Sequence, residues 1–181
     1  VTTGSQLVTT VTATDPESSP LMYSINGGAD ASKFAIDATT GRLSFLLAPD
    51  FESPTDAGLD NVYDVTVRVS DGTNNVDQAI QVTVTGVNES PTNTTVSTIS
   101  VAENTTTVTI ATGTDPEGLA LTFAISGGAD AAKFAIDPTS GVLTFVNAPD
   151  FEIPTDSGAN NSCFVTVTVS DGVNVPVNKT V

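Results

Sequence analysis

VTVRVSDG at residues 65–72 returns as VTVTVSDG at residues 165–172. In each copy valine alternates with a polar residue and then stops at Ser-Asp-Gly. A period of two is the side-chain period of a strand with one buried face. Asp-Gly beyond it is turn chemistry. With the valines facing a core, Asp71 and Asp171 continue the inward parity one step past the strand end, so each carboxylate emerges at the tip of the folded unit.

Sliding the chain against itself by 100 positions extends the match in both directions. TDPE (14–17) returns at 114–117, GGADASKFAID (27–37) as GGADAAKFAID, and APDFESPTDAG (48–58) as APDFEIPTDSG. About half of the overlapping positions are identical without a gap, which marks two tandem domains, 1–88 and 89–181. Within a copy, LVTTVTATD, LMYSI, GRLSFLL, VYDVTVRVSD and AIQVTVTG read as short strands separated by Gly, Pro, Asn and Asp clusters. About seven strands in roughly 100 residues predict a β-sandwich. GADASKF is the one helical candidate, a single turn. The last strand of copy two is expected to be truncated, and the piece reads as part of a longer array.

The chain carries 21 Asp and Glu against 5 Lys and Arg, a formal charge of −16. That balance speaks against nucleic acid as a partner, because phosphate binding needs cationic side chains. Two readings of the charge stay open: a solvating surface, or carboxylates that await a cation. There is no histidine, so no His-dependent nucleophile–base pair exists and the commonest zinc ligand is missing. The single cysteine, Cys163, stands where copy one has Tyr63 and reads as a buried, inert thiol. No apolar run is long enough to span a membrane.

The carboxylates fall in pairs. Asp115 and Glu117 flank Pro116 in a turn expected at one tip, and Asp50 and Glu52 are expected to share a face while Phe51 turns inward. Asn88 and Glu89 occupy the short joint GVNESPTN. These pieces, in order, resemble the cadherin repeat: VAEN with Glu103, DPE, APDFE, VSD and GVNESP, together with FAIDPTSGVLTF (134–145). The match covers nearly the whole chain. It implies an all-β fold of two tandem cadherin-like (Ig-like Greek-key) β-sandwich domains.

The resemblance further implies calcium as cofactor, held by Asp50, Glu52, the Val87 carbonyl, Asn88, Glu89, Asp115, Glu117 and Asp171. Calcium suits such a set because it takes six to eight oxygen ligands in irregular geometry. Without a cation, each adjacent carboxylate pair costs about 3 kcal/mol at about 5 Å and an effective dielectric near 20. Two departures stand out: Thr3 takes the place of the family's first-strand glutamate, and the linker reads NES. Fewer ions than the family's usual three are therefore expected. Asp15, Glu17 and Asp71, and at the other end Glu103, Asp150 and Glu152, would serve neighbouring repeats. Asp56 lies outside the matched motifs and is the comparison residue for an Asp115→Ala substitution.

The implied function is a calcium-stiffened structural module of an extracellular or cell-surface adhesin. Its partners are neighbouring repeats of the same parent chain, with homophilic or carbohydrate contacts left open and no membrane insertion by this segment. The alternative is a carbohydrate-binding β-sandwich module of a secreted protein, although sugar platforms use exposed Trp or Tyr and the chain has no Trp and two Tyr. Paired carboxylates also imitate glycosidase acid–base residues, but they recur at domain ends where no cleft is expected. The chain is read as not an enzyme. N-x-S/T sequons at Asn93 and Asn104 matter only in a glycosylating host.

Overall fold

The computed structural model describes all 181 residues, Val1–Val181. They fold as two compact units, Val1–Val87 and Asn88–Val181. The first contains β1 (Leu7–Thr10), β2 (Met22–Gly27), β3 (Phe34–Ile36), β4 (Arg42–Phe45), β5 (Val62–Ser70) and β6 (Asn75–Thr83). Two antiparallel sheets result, ordered β1-β4-β3 and β2-β5-β6. A parallel bridge between Thr2 and Thr85 ties in the chain start.

The second unit repeats the plan with β7 (Thr92–Asn93), β8 (Thr107–Ile110), β9 (Gly113–Thr114), β10 (Thr122–Gly127), β11 (Phe134–Ile136), β12 (Val142–Phe145), β13 (Thr166–Ser170) and β14 (Val177–Thr180). Its sheets run β11-β12-β8 and β10-β13-β14, with β7 paired to β9. Asn93 is half-buried, and its amide donates to the Val167 and Val177 carbonyls.

Three details depart from the expected strands. Phe34, read as the end of a helical turn, opens strand β3; the turn itself is a 3-10 turn at Ala31–Lys33, with a twin at Ala131–Lys133. Strand β6 starts at Asn75, ahead of the apolar run at 79–86, because the hairpin pairing with Ser70 needs backbone groups and not apolar side chains. The expected seven strands resolve into six in one unit and eight short ones in the other.

Alternation decides the core. Val65, Val67, Val82 and Val84 point inward with Leu43 in the first unit, as do Val165 and Val167 with Leu143 in the second. Aromatic packing distinguishes the two. Phe34 stacks on Phe45 with centroids 4.5 Å apart, and Tyr63, only 1% exposed, meets Phe45 edge-on at 5.0 Å. In the second unit Phe134 and Phe145 stack at 4.6 Å, but Cys163 replaces the third ring. Cys163 is half-buried, short of the full burial expected, because the smaller side chain does not fill the place of a tyrosine. Burial still pushes its thiol pKa up, with Asp130 and Asp156 adding to the effect.

Several carboxylates are structural. Asp30 is 3% exposed; its Oδ1 accepts the Ala57 amide at 2.7 Å and its Oδ2 the Asp64 amide at 2.8 Å. Asp130 accepts Ser157 and Phe164 in the same way. Each carboxylate pins the loop before the long central strand to the GGAD turn. That turn needs its glycine: at Gly28 φ is +104°, and a Cβ would lie 2.4 Å from the Asp64 carbonyl oxygen.

Candidate metal centre

In the second unit, strand β13 delivers Asp171 to its end, half-buried. Asp171 Oδ1 accepts the Val173 and Asn174 amides at 3.0 and 2.9 Å. Its Oδ2 accepts the side-chain amides of Asn88 at 2.7 Å and Asn174 at 3.0 Å. The Val173 amide leads in lowering its pKa from 3.8 to about 2; burial opposes this, and the Asn174 amide and both side-chain amides assist. Asn174 also donates to the Asn88 carbonyl at 3.1 Å. Sequence reading missed Asn174. The signal was the D-G-x-N pattern, because Asn74 bonds Asp71 in the same way.

A folded pKa below the unfolded value means that the Asp171 carboxylate stabilises the unit fully above about pH 4, and that this is lost as pH falls through about 2. In chelator, an Asp171→Asn chain should therefore show a smaller drop in thermal midpoint between pH 5 and pH 2 than the parent. Parallel curves would contradict this.

The Asp-Pro-Glu turn comes next. The Leu119 amide donates to Asp115 Oδ1 at 2.9 Å, and the Gly118 amide to the Asp115 carbonyl at 3.1 Å. Asp115 Oδ2 is buried without a hydrogen-bond partner. Glu117 Oε2 accepts the Glu89 amide at 3.3 Å, and the carboxylate oxygens of Glu89 and Glu117 lie within 4.8 Å. Thus the second unit gathers Asn88 with Asp171 and Glu89 with Glu117, while Asp115 shares the turn with Glu117.

In the first unit APDFE is a bend. Asp50 Oδ1 accepts the Glu52 and Ser53 amides at 3.0 and 3.2 Å. Asp50 is exposed; Glu52 is half-buried, with Oε2 unpartnered. Phe51 does not turn into the core. It is 38% exposed and lies over Gly86, where an added Cβ would come 2.9 Å from the ring, because the bend breaks the strand parity that would have pointed it inward. Its twin Phe151 is 64% exposed. Val87 is exposed at the end of this unit.

Thr3 and Glu103 occupy equivalent places. The Phe51 amide donates to Thr3 Oγ1 at 3.3 Å, and the Phe151 amide to Glu103 Oε2 at 3.1 Å. In the second unit Glu103, Asp150 and Glu152 bring carboxylate oxygens within 4.8 Å of one another. The first unit has a hydroxyl in place of one of these charges.

Asp56 is no neutral comparison residue. It is 2% exposed, and its carboxylate accepts the Asp60 and Asn61 amides at 3.0 and 3.1 Å. Burial alone would raise its pKa, yet these bonds hold it below the ordinary value. Choosing it only because it lies outside the matched motifs overlooked the loop it organises. Asp60 serves better, because it is exposed and copy two carries Asn160 there, accepting the same amide two residues on.

The donors are oxygens of carboxylates, amides and carbonyls, with no nitrogen or sulfur ligand among them. Of three buried side-chain atoms without partners in the chain, two are carboxylate oxygens of this set, Glu52 Oε2 and Asp115 Oδ2. Buried polar atoms normally find partners, and a hard cation supplies one. The residues fit calcium.

No known family's sequence profile matches the chain. A segment of chitinase A from Pseudoalteromonas piscicida is 33% identical over 96% of this chain and 19% of the chitinase. Cadherin-99C from Drosophila melanogaster is 33% identical over 92% of this chain and 11% of its own length. The chain thus spans a small part of either relative. Among solved structures, EC1-2 of human protocadherin-24 is similar with a TM-score of 0.55 at 20% identity, covering 96% of this chain and 82% of the other. That likeness is one of fold: the chain folds as cadherin-like β-sandwich domains.

Proposed function

We propose that the chain is a calcium-binding pair of repeats from an extracellular, cell-surface adhesion protein, in which bound calcium stiffens the array. The observation that carries this reading is the unpartnered, buried Oδ2 of Asp115, in the same turn as Glu117. Asn88, Glu89, Asp115, Glu117 and Asp171 would hold the ion from the second repeat. The resemblance adds Asp50, Glu52 and the Val87 carbonyl from the first. Calcium supplies charge neutralisation and multidentate oxygen binding. It favours whichever state binds it, by mass action. Neighbouring repeats of the parent chain are the nearest partners.

Calorimetric titration of the chelated chain with calcium chloride tests the binding, and small-angle scattering tests the stiffening. Saturable heat, a raised thermal midpoint and a narrower distance distribution are expected. Asp60→Asn, which removes one charge elsewhere, should leave all three unchanged. Absence of heat would sink the reading. An unchanged distribution despite binding would sink the stiffening alone.

A second reading, a carbohydrate-binding module, draws on the identity with the chitinase segment. Against it, Tyr63 is buried in the first core, and the exposed aromatic rings are phenylalanines without a polar handle. Retention on chitin, unaffected by chelator, would favour it.

A further inference from the structure

We propose that Asn61 and Asn161 are positioning residues for the acidic pairs, each holding the peptide between the two carboxylates through its side-chain amide. The inference rests on the calcium reading and adds to it a part of the chain that no cadherin motif covers. The loops PTDAGLDN (54–61) and PTDSGANN (154–161) keep the same unusual backbone. Leu59 and Asn61 sit at φ 55° and 63°, Ala159 and Asn161 at φ 50° and 60°. Left-handed geometry is unfavourable for L-residues, and least so for asparagine after glycine.

A buried carboxylate holds each loop in this shape. Asp56 accepts Asp60 and Asn61, and Asp156 accepts Gly158, Asn160 and Asn161 at 3.1, 3.0 and 2.9 Å. The shape aims one group. Asn61 Nδ2 donates to the Phe51 carbonyl at 2.9 Å, and Asn161 Nδ2 to the Phe151 carbonyl at 3.1 Å. That carbonyl belongs to the peptide whose amide, on Glu52 or Glu152, is bonded to Asp50 or Asp150. Thr3 or Glu103 holds the amide on the other side of the phenylalanine. Both carboxylates are therefore aimed by a clamped peptide.

Stability of the unit does not account for the amide. Asn61 is 9% exposed, and its Oδ1 is buried without a partner, an arrangement that offsets the gain from the single bond it makes. Ordering a free loop subtracts from affinity, and a clamped one avoids that loss.

Asn61→Gly and Asn161→Gly test this in the full chain. Glycine accepts the positive φ and keeps the amide that Asp56 or Asp156 binds, so only the clamp is lost. In Asn61→Gly, calcium affinity by titration with calcium chloride should fall on the order of 10-fold, as for groups that orient metal ligands. Asn161→Gly, whose acidic pair serves a neighbouring repeat, should keep the parent's affinity at this site and is the comparison. The thermal midpoint in chelator should stay with the parent. Unchanged affinity in Asn61→Gly would overturn the positioning role while leaving the calcium reading intact. A midpoint in chelator that falls as far as the calcium-loaded one would show a merely structural role and overturn it too. A parent chain that binds no calcium would remove both together.

Discussion

Asp30→Ala will cost the first unit roughly 3 to 6 kcal/mol of stability, because two charge-assisted hydrogen bonds at roughly 1.5 to 3 kcal/mol each are lost. The Ala57 and Asp64 amides that Asp30 accepts are left facing a small apolar side chain. A domain of this size has about 5 to 15 kcal/mol in total, so the first unit should be close to unfolded in its warm range. Net charge argues the other way. In a chain at −16, removing a carboxylate relieves self-repulsion and would stabilise it if surface charge decided the outcome. Burial settles the sign, because Asp30 is enclosed and fully bonded. Thermal unfolding in chelator should show the first transition moved down by on the order of 15 °C or more while the second stays in place. Asp130→Ala should reverse the pattern. A rise in midpoint, or a loss under about 1 kcal/mol, would show that these carboxylates are surface groups after all.

Asp115→Asn should lower calcium affinity by on the order of 100-fold, about 2.8 kcal/mol at 1.4 kcal/mol per decade. The substitution keeps the Oδ1 that accepts Leu119, so the turn survives. What changes is the orphan position: a charged Oδ2 becomes an amide that points donors at a cation. Ligand charge is a main determinant of calcium affinity. In chelator the sign reverses. One less negative charge beside Glu117 should leave the calcium-free chain as stable as the parent or slightly more so. Calorimetry together with melting in chelator separates these effects, with Asp60→Asn as the charge-matched comparison. Equal affinities for the two substitutions would mean that Asp115 binds no ion.

The sequence alone determined the fold class and the twofold repetition. Valine alternation at 65–69 and 165–169 is a local signal, and a strand with one buried face has no other period to adopt. The same parity put Asp71 and Asp171 at strand ends, and turn chemistry placed Asp115 and Glu117 together. Tertiary structure alone decided which acids are structural. Asp30 and Asp56 resemble their solvated neighbours in sequence, because a carboxylate carries no local mark of burial. Asp30 is satisfied by amides 27 and 34 residues away. Phe51 was misread for a related reason: strand parity was extended into a bend, where it no longer holds. Asn61 and Asn174 escaped notice because they act on residues through folded loops, at Phe51 and Asn88. Periodicity reports which face of a strand meets the core, whereas hydrogen bonds between distant segments exist only once the chain has closed on itself.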